Sequence, residues 1–122
     1  MSPPVFAAVV LVFLGLRGAA AHPAPFAFIN PSKFIQHDPR VEDGLEGFKR
    51  FVAGLPADTQ VNSVRIFADG DYVVAHSEFT VSAGPQLGFD IFRFKNGRIV
   101  EHWDVLEPLV SREQSKNPNG EF

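Results

Sequence analysis

Apolar residues in the stretch after residue 33 first follow the period of a helix. Asp43 and Glu46 form a capping-box pattern that predicts the helix start, and Gly54 with Pro56 predicts its end. Between these signals, five apolar residues recur at the spacing of one helical face: Leu45, Phe48, Phe51, Val52 and Leu55. The pattern therefore predicts one amphipathic helix that packs against a core.

After residue 60 the apolar positions alternate with a period of two, which is typical of strands. Asp69-Gly70 and Asn96-Gly97 each separate two such runs, and both dipeptides favour the positive φ angles of a type I′ turn. The loop SAGPQ joins the two hairpins, so we expect four strands in one antiparallel meander. Because one helix cannot cover such a sheet, the pattern indicates a cavity or a partner surface.

The Asn96-Gly97 turn predicts which side chains of the last hairpin share a face. Counting outward from a two-residue turn pairs Phe92 with Glu101 and Asp90 with Trp103, and directly opposed residues lie on the same face. This prediction surrounds Asp90 with aromatic side chains.

The same count places His102 and Asp104 on the opposite face, where His102 is interpreted as structural. The Asp69-Gly70 turn places His76 on one face of the first hairpin. Whether that face is also the face of Asp90 depends on the register across SAGPQ, which Gly and Pro leave open.

A carboxylate among aromatic side chains suggests a general base. Burial against Phe and Trp raises the pKa of an Asp, and a neighbouring His76 could share the proton of Asp90. The alternative is that Asp90 forms a structural ion pair with Arg93 or Arg65, or lies at an exposed edge.

Three further polar or aromatic residues are candidates for lining a pocket, and each has a simpler interpretation. His37 is either a pocket donor or a turn residue. Glu101 is either a second pocket carboxylate or the partner of a nearby basic residue such as Arg93. Trp103 is either a platform for a ligand or part of the core.

Composition narrows the class of protein. A chain of 122 residues that is 45% hydrophobic predicts one compact domain, and 13 Phe against one Tyr and one Trp indicates an apolar interior or cavity wall. The net charge of −3 gives nucleic-acid binding little electrostatic support. Without Cys there is no disulfide, thiolate nucleophile or Cys-ligated zinc, and His37, His76 and Asp90 lack the spacing of a metal motif, so no metal is predicted.

The N-terminal segment has the pattern of a secretory signal peptide. An apolar run at residues 5–16 precedes Ala19-Ala20-Ala21, which predicts cleavage after Ala21, a secreted product and no membrane association after processing. If residues 5–16 are instead an ordinary buried helix, the protein is cytoplasmic. The predicted organisation is completed by three further segments: a Pro-rich lead-in at 22–33, a domain at 34–110 and a polar tail at 111–122.

Five motifs occur in order between residues 34 and 109: QH-x-P, DG-x-EGF, GD-x-V-x-x-H, D-x-F-R and NG-x-I-x-EHWDV. Together they resemble the SnoaL-like branch of the nuclear-transport-factor-2-like (NTF2-like) superfamily, which includes polyketide cyclases. The resemblance implies an α+β cone, in which a curved antiparallel sheet and helices enclose an apolar pocket. The long first helix of that family is missing ahead of the motifs, where the signal-like segment stands instead.

The resemblance also implies chemistry. It implies acid/base catalysis without metal or cofactor on a carbonyl substrate, by aldol-type cyclisation or isomerisation, with Asp90 and His76 as the catalytic pair. His37 and Trp103 match pocket-lining positions, and Phe92 and Glu101 complete the expected substrate-binding set.

One departure from the family and two alternatives accompany this prediction. The family's QHNP motif is QHDP here, so Asp38 adds negative charge where an amide is usual. The alternatives are a non-catalytic pocket for an apolar small molecule and a protein-interaction module that uses the open sheet face. In each case we expect a homodimer formed through the sheet.

Overall fold

The computed structural model describes residues 24–81 and 84–122. Within them, five strands form one sheet in the spatial order β1-β5-β4-β3-β2. The strands are β1 (Ile35–Gln36), β2 (Gln60–Asp69), β3 (Tyr72–Val81), β4 (Gly84–Lys95) and β5 (Arg98–Pro108). β1 runs parallel to β5, and all other neighbours are antiparallel. The predicted signal peptide, residues 1–21, lies outside the described residues.

Two helical segments complete the described fold: a 3-10 helix at Ala24–Phe28 and the helix α1 at Gly44–Ala53. α1 buries Leu45, Phe48 and Val52, as its apolar face predicts. These residues belong to one core with the side chains of the sheet's inner face, including Val73, Ala75, Phe92, Phe94 and Ile99. The predicted α+β architecture with one helix on a four-strand meander is confirmed. None of the helices in the described ranges is both long and apolar enough to cross a membrane.

The start of α1 differs from the predicted capping box. Asp43 occupies the N-cap position with extended backbone, but its side chain makes no capping hydrogen bond. Its Oδ1 instead accepts the backbone N–H of Gln36 at 2.8 Å, so the carboxylate joins the helix start to β1. Inside the first turn, a Cβ on Gly47 would overlap the backbone carbonyl of Glu42, so this position accepts only glycine without rearrangement.

The predicted turn at Asn96-Gly97 is confirmed, because both residues have positive φ angles of 52° and 77°. The pairing beyond it is not the predicted one. Phe94 pairs with Ile99, but Arg93 pairs with Glu101, so Val100 is an extra residue in β5. This β-bulge shifts every later pair by one residue and reverses the faces of β5 relative to β4.

As a consequence, the predicted pairs of Asp90 with Trp103 and of Phe92 with Glu101 are wrong. Asp90 lies opposite Asp104 and Phe92 lies opposite His102. His102 and Asp104 therefore share the inner face with Asp90, while Glu101 and Trp103 turn to the outer face.

The first hairpin also turns one residue later than predicted. Asp69 pairs with Tyr72, so Gly70 and Asp71 form the turn, and Gly70 has a φ of 56°. Across β3 and β4, Ala75 lies opposite Asp90 and His76 lies opposite Phe89. Since neighbouring residues of a strand point to opposite faces, His76 and Asp90 lie on different faces of the sheet.

Candidate active site

A cavity of about 230 Å³ lies between α1, the β1 loop and the inner face of the sheet. Its wall is largely apolar, with Ile29, Phe34, Phe48, Phe79, Phe92 and Leu106 among the lining residues. The polar and charged residues in the wall are Gln36, Asp38, Arg40, Thr59, Gln86, Asp90, His102 and Asp104. Most of them come from β1, the loop that follows it, β4 and β5. An apolar cavity with a few convergent polar groups is the usual form of a small-molecule site.

Asp90 and His102 form the buried centre of this polar group. Asp90 is 3% exposed and His102 is 7% exposed. Asp90 Oδ1 and His102 Nε2 lie 2.8 Å apart, a hydrogen-bond distance. Asp90 Oδ2 is buried and has no partner among the described residues. The carboxylate therefore has one oxygen held by His102 and one available to a molecule in the cavity.

Gln36 determines where the protons of His102 lie. Gln36 Oε1 accepts the backbone N–H of Asp38 at 3.0 Å, and a backbone N–H can only donate. The same oxygen lies 2.8 Å from His102 Nδ1, so Nδ1 must carry a proton to make that hydrogen bond. The Asp90–His102 contact then needs one further proton, which lies either on Asp90 Oδ1 or on His102 Nε2. In both states Asp90 Oδ2 is an acceptor.

Burial raises the pKa of Asp90, and the nearby Asp38 charge adds to this, whereas the hydrogen bond and charge of His102 lower it. Burial is the larger effect. The expectation from sequence that Asp90 has a raised pKa is thus supported, with His102 in the place that His76 was expected to take.

Asp104 is a second buried carboxyl at this end of the cavity. Its side chain is 8% exposed, and its Oδ1 has no hydrogen-bond partner among the described residues. Burial, the neighbouring charge of Asp90 and a hydrogen bond to Asp38 raise the pKa of Asp104 to about 7, against an opposing effect of His102.

Asp38 is ionised because Arg40 holds it. Arg40 Nε and Nη2 donate to the two oxygens of Asp38 at 2.9 and 3.0 Å, and the backbone N–H of Arg40 adds a third bond at 2.9 Å. Despite burial, these contacts lower the pKa of Asp38. Since two carboxyl groups can share a hydrogen bond only if one is protonated, the proton between Asp38 and Asp104 belongs to Asp104.

Asp90, His102 and Asp104 bring donor atoms within 4.8 Å of one another, close enough to be considered for a cation. The hydrogen bonds already account for the His102 nitrogens, with Nε2 on Asp90 and Nδ1 on Gln36. A cation at this cluster would therefore have to displace the hydrogen bond between His102 Nε2 and Asp90, because Nδ1 carries a proton and only an unprotonated nitrogen can bind a metal.

Three of the residues expected to line the pocket lie together on the outer face of the sheet. His37 Nε2 is 2.7 Å from Glu101, and Arg93 donates to the same carboxylate at 2.8 Å. These contacts lower the pKa of Glu101. The His37 ring stacks on Trp103 with centroids 4.8 Å apart. His37, Glu101 and Trp103 thus form a surface cluster outside the cavity, and of the predicted substrate-binding set only Phe92 lines it.

His76 also lies outside the cavity. Its ring stacks on Phe89 at 4.3 Å and on Phe122 at 5.1 Å, and Arg65 donates to Nδ1 at 2.7 Å. Burial and the charge of Arg65 lower the pKa of His76. The structure therefore separates His76 from Asp90, contrary to the expected catalytic pair.

The fold and the cavity define the class of protein: an NTF2-like cone with a polar group at one end of an apolar cavity. The model of the SnoaL-like domain matches residues 27–102, and the chain belongs to this family. No curated protein matches the chain.

Solved structures share the fold at low identity. An NTF-2 like protein of unknown function from Burkholderia xenovorans LB400 is 15% identical, with a TM-score of 0.75 over 96% of each chain. A proposed ketosteroid isomerase from Kribbella flavida DSM 17836 is 21% identical, with a TM-score of 0.71 over 90% of this chain and 85% of its own. A proposed SnoaL-like polyketide cyclase from Jannaschia sp. CCS1 is 18% identical, with a TM-score of 0.69 over 88% and 90%.

Proposed function

We propose that this protein is an enzyme that moves a proton at the carbon next to a carbonyl group of an apolar small molecule, with Asp90 as acid/base and His102 as its partner. The main support for this proposal is Asp90 Oδ2, a buried acceptor without a partner among the described residues, in the wall of an apolar cavity. A general base needs an acceptor within reach of the substrate and a pKa near the working pH, and burial raises the pKa of Asp90.

The proposed reaction needs only proton transfer. The C–H bond next to the carbonyl breaks, its proton goes to Asp90 Oδ2, and its electron pair forms a carbon–carbon double bond as charge moves to the carbonyl oxygen. His102 lies on Oδ1 throughout and stabilises either charge state of the carboxyl group. Return of the proton to another carbon is an isomerisation. Attack of the enolate on a second carbonyl breaks that C=O π bond, and the resulting alkoxide takes the proton back from Asp90, which completes an aldol cyclisation. Family membership and the isomerase and cyclase neighbours support this class of reaction.

The test uses 2-tetralone as a probe ketone in deuterated water, with loss of its α-proton NMR signals as the readout. The wild-type protein should accelerate exchange, and Asp90→Asn should lower the rate by about 10²- to 10⁴-fold, the usual contribution of a general base. Asp69→Asn, in the exposed hairpin, is the matched control and should leave the rate unchanged. Equal rates for wild type and Asp90→Asn would overturn the proposal, as would a rate that chelator abolishes and Zn²⁺ restores.

A non-catalytic binding function is the second candidate, and the predominantly apolar lining favours it. A binder should take up 2-tetralone with measurable affinity and no exchange above the buffer rate. Calorimetry and NMR on the same sample separate the two candidates.

Two further properties expected from the sequence are also proposals. A homodimer formed through the sheet is supported by exposed Phe67, Phe89 and Val105 on its outer face, and sedimentation of the protein tests it. Secretion with cleavage after Ala21 is tested by N-terminal sequencing of the native protein, where an intact Met1 would contradict it.

A further inference from the structure

The side-chain amide of Gln36 has a fixed orientation. Its Oε1 accepts from the backbone N–H of Asp38 at 3.0 Å and from His102 Nδ1 at 2.8 Å. Flipping the amide would place an N–H₂ donor against a backbone N–H, which cannot accept. Gln36 Oε1 therefore accepts two hydrogen bonds from the protein itself.

The nitrogen of the same amide makes no hydrogen bond to the described residues. Gln36 Nε2 is buried and has no hydrogen-bond partner among the described residues, while Gln36 lines the cavity beside Asp90 and His102. A buried donor without a partner is costly, so such groups in native proteins point to an unseen ligand or water. What completes this amide must supply an acceptor from inside the cavity.

We propose that Gln36 is a second catalytic residue, whose amide N–H₂ donates a hydrogen bond to the substrate oxygen on which negative charge develops. The inference rests on the function proposed above. Asp90 and Gln36 contact the two ring nitrogens of His102. The carboxylate that accepts the proton and the amide that donates to the substrate oxygen are therefore held at fixed positions on either side of one imidazole. As Asp90 Oδ2 takes the proton from carbon, the carbonyl π electrons move to the oxygen that Gln36 Nε2 contacts. A preorganised donor aimed at that oxygen lowers the barrier.

The charges around the cavity narrow the substrate class further. Arg40 lines the same wall, but its guanidinium is engaged by both oxygens of Asp38. Asp90 and Asp104 add carboxyl groups, so an anionic substrate would meet no free cation among the described lining residues. The donor available to it is a neutral amide. The substrate class is therefore an uncharged, mostly apolar carbonyl compound with a hydrogen on the adjacent carbon.

Two substitutions separate this role from support of His102. Gln36→Glu keeps an oxygen for the Asp38 N–H and for His102 Nδ1 but replaces the N–H₂ donor by an acceptor. Gln36→Met removes both functions. If Gln36 only positions His102, Gln36→Glu should exchange 2-tetralone at the wild-type rate and Gln36→Met should not. We expect instead that Gln36→Glu lowers the exchange rate by about 10²- to 10³-fold, the usual effect of losing one such donor.

Binding gives a readout that does not depend on turnover. Calorimetry should show that the wild-type protein prefers 2-tetralone over tetralin, which lacks the oxygen, by roughly three- to tenfold. Gln36→Glu should abolish this preference while tetralin affinity stays within about twofold of wild type, since apolar contacts are unchanged. The preference of the wild-type protein can be measured even if neither variant folds.

The outcomes distinguish the two proposals. Equal wild-type affinity for 2-tetralone and tetralin, or a Gln36→Glu protein that retains both preference and exchange, would overturn the role of Gln36 and leave that of Asp90 intact. If Asp90→Asn exchanges normally while Gln36→Glu loses the ketone preference, the proposed reaction fails and Gln36 is a binding residue.

Discussion

Asp90 and Asp104 lie directly opposite each other on β4 and β5, with both side chains on the inner face of the sheet and at most 8% exposed. Two carboxylates in this position cannot both be ionised without a large electrostatic cost. The folded protein therefore binds two protons at this site. Asp90 and His102 share one of them, and Asp104 carries the other in its hydrogen bond to Asp38.

We predict that stability falls as the pH rises through neutrality. The pKa of Asp104 is raised from an ordinary value of 3.8 to about 7, so between these values the folded protein holds a proton that the unfolded chain has lost. That contribution is fully present below pH 4 and is lost as the pH rises through 7, and the raised pKa of Asp90 acts in the same direction. Thermal unfolding should give a lower Tm at pH 8 than at pH 5.5.

Asp104→Asn is the test of that assignment, because it keeps shape and polarity without a titrating proton. The variant should lose much of the Tm difference between pH 5.5 and pH 8, where each unit of pKa shift corresponds to about 1.4 kcal/mol. Glu107→Gln, on the same strand and exposed, serves as the control. An Asp104→Asn profile that superimposes on wild type would contradict the assignment.

A second prediction concerns Asp38 and Arg40. The Asp38 carboxylate raises the pKa of Asp104 through a hydrogen bond and its charge, and it also holds Arg40, whose Nη2 lies 3.9 Å from Asp104. Asp38→Asn removes the neighbouring anion and releases Arg40 toward Asp104. The pKa of Asp104 should therefore fall, which carboxyl NMR titration measures directly. If the pKa of Asp104 stays at about 7 in Asp38→Asn, Asp38 is not a cause of the raised pKa.

The parts of the fold that depend on local chemistry were predictable from the sequence. The apolar period of α1 and the Asn96-Gly97 turn each require only neighbouring residues, and both are present. The family motifs likewise indicated the cone, whereas the catalytic role that they imply for Asp90 stays a prediction. The capping role of Asp43 was wrong because its carboxylate binds Gln36, a contact between segments that capping rules do not consider.

The composition of the site was not predictable by counting, because one bulged residue changes the face of everything beyond it. Ile99 and Val100 are consecutive and both buried, at 0% and 1% exposure. Consecutive buried residues alone do not predict a bulge, since Ala75, His76 and Ser77 are also buried in β3, whose pairing with β4 is regular. A count of strand pairs that ignores the bulge places Trp103, instead of His102, on the same face as Asp90. Gln36 could not be found from periodicity, since its place beside Asp90 and His102 depends on a hydrogen bond from β1 to β5.

A third prediction tests the turn on which the face of Asp90 depends. Gly97 has a φ of 77°, where L side chains are strained, although the space that an added Cβ would occupy is open; Gly54 at the end of α1 has a φ of −85°. Gly97→Ala should destabilise the protein by roughly 1 kcal/mol. Gly54→Ala, the matched control, should be neutral or slightly stabilising. Denaturant unfolding measures both, and equal effects would remove the backbone argument for this turn.

The last prediction separates the inner face from the outer one by activity. His102 and His76 are both buried histidines of the sheet, but His102 contacts Asp90 at 2.8 Å whereas His76 contacts Arg65 and Phe89 on the other side. His102→Gln removes the group that shares a proton with Asp90, so exchange of 2-tetralone should fall by at least about tenfold.

The matching change on the outer face, His76→Gln, should leave the exchange rate within about twofold of wild type, because the described contacts of His76 lie away from the cavity wall. Trp103→Phe should behave in the same way, since it alters the stack with His37 on the outer face. Because His102→Gln also perturbs a buried network, the double variant with Asp90→Asn is informative: residues that act as one unit give strongly non-additive losses. Additive losses in the double variant would contradict a proton shared by Asp90 and His102. A loss of exchange in His76→Gln with full activity in His102→Gln would show that the proton partner of Asp90 lies on the outer face of the sheet.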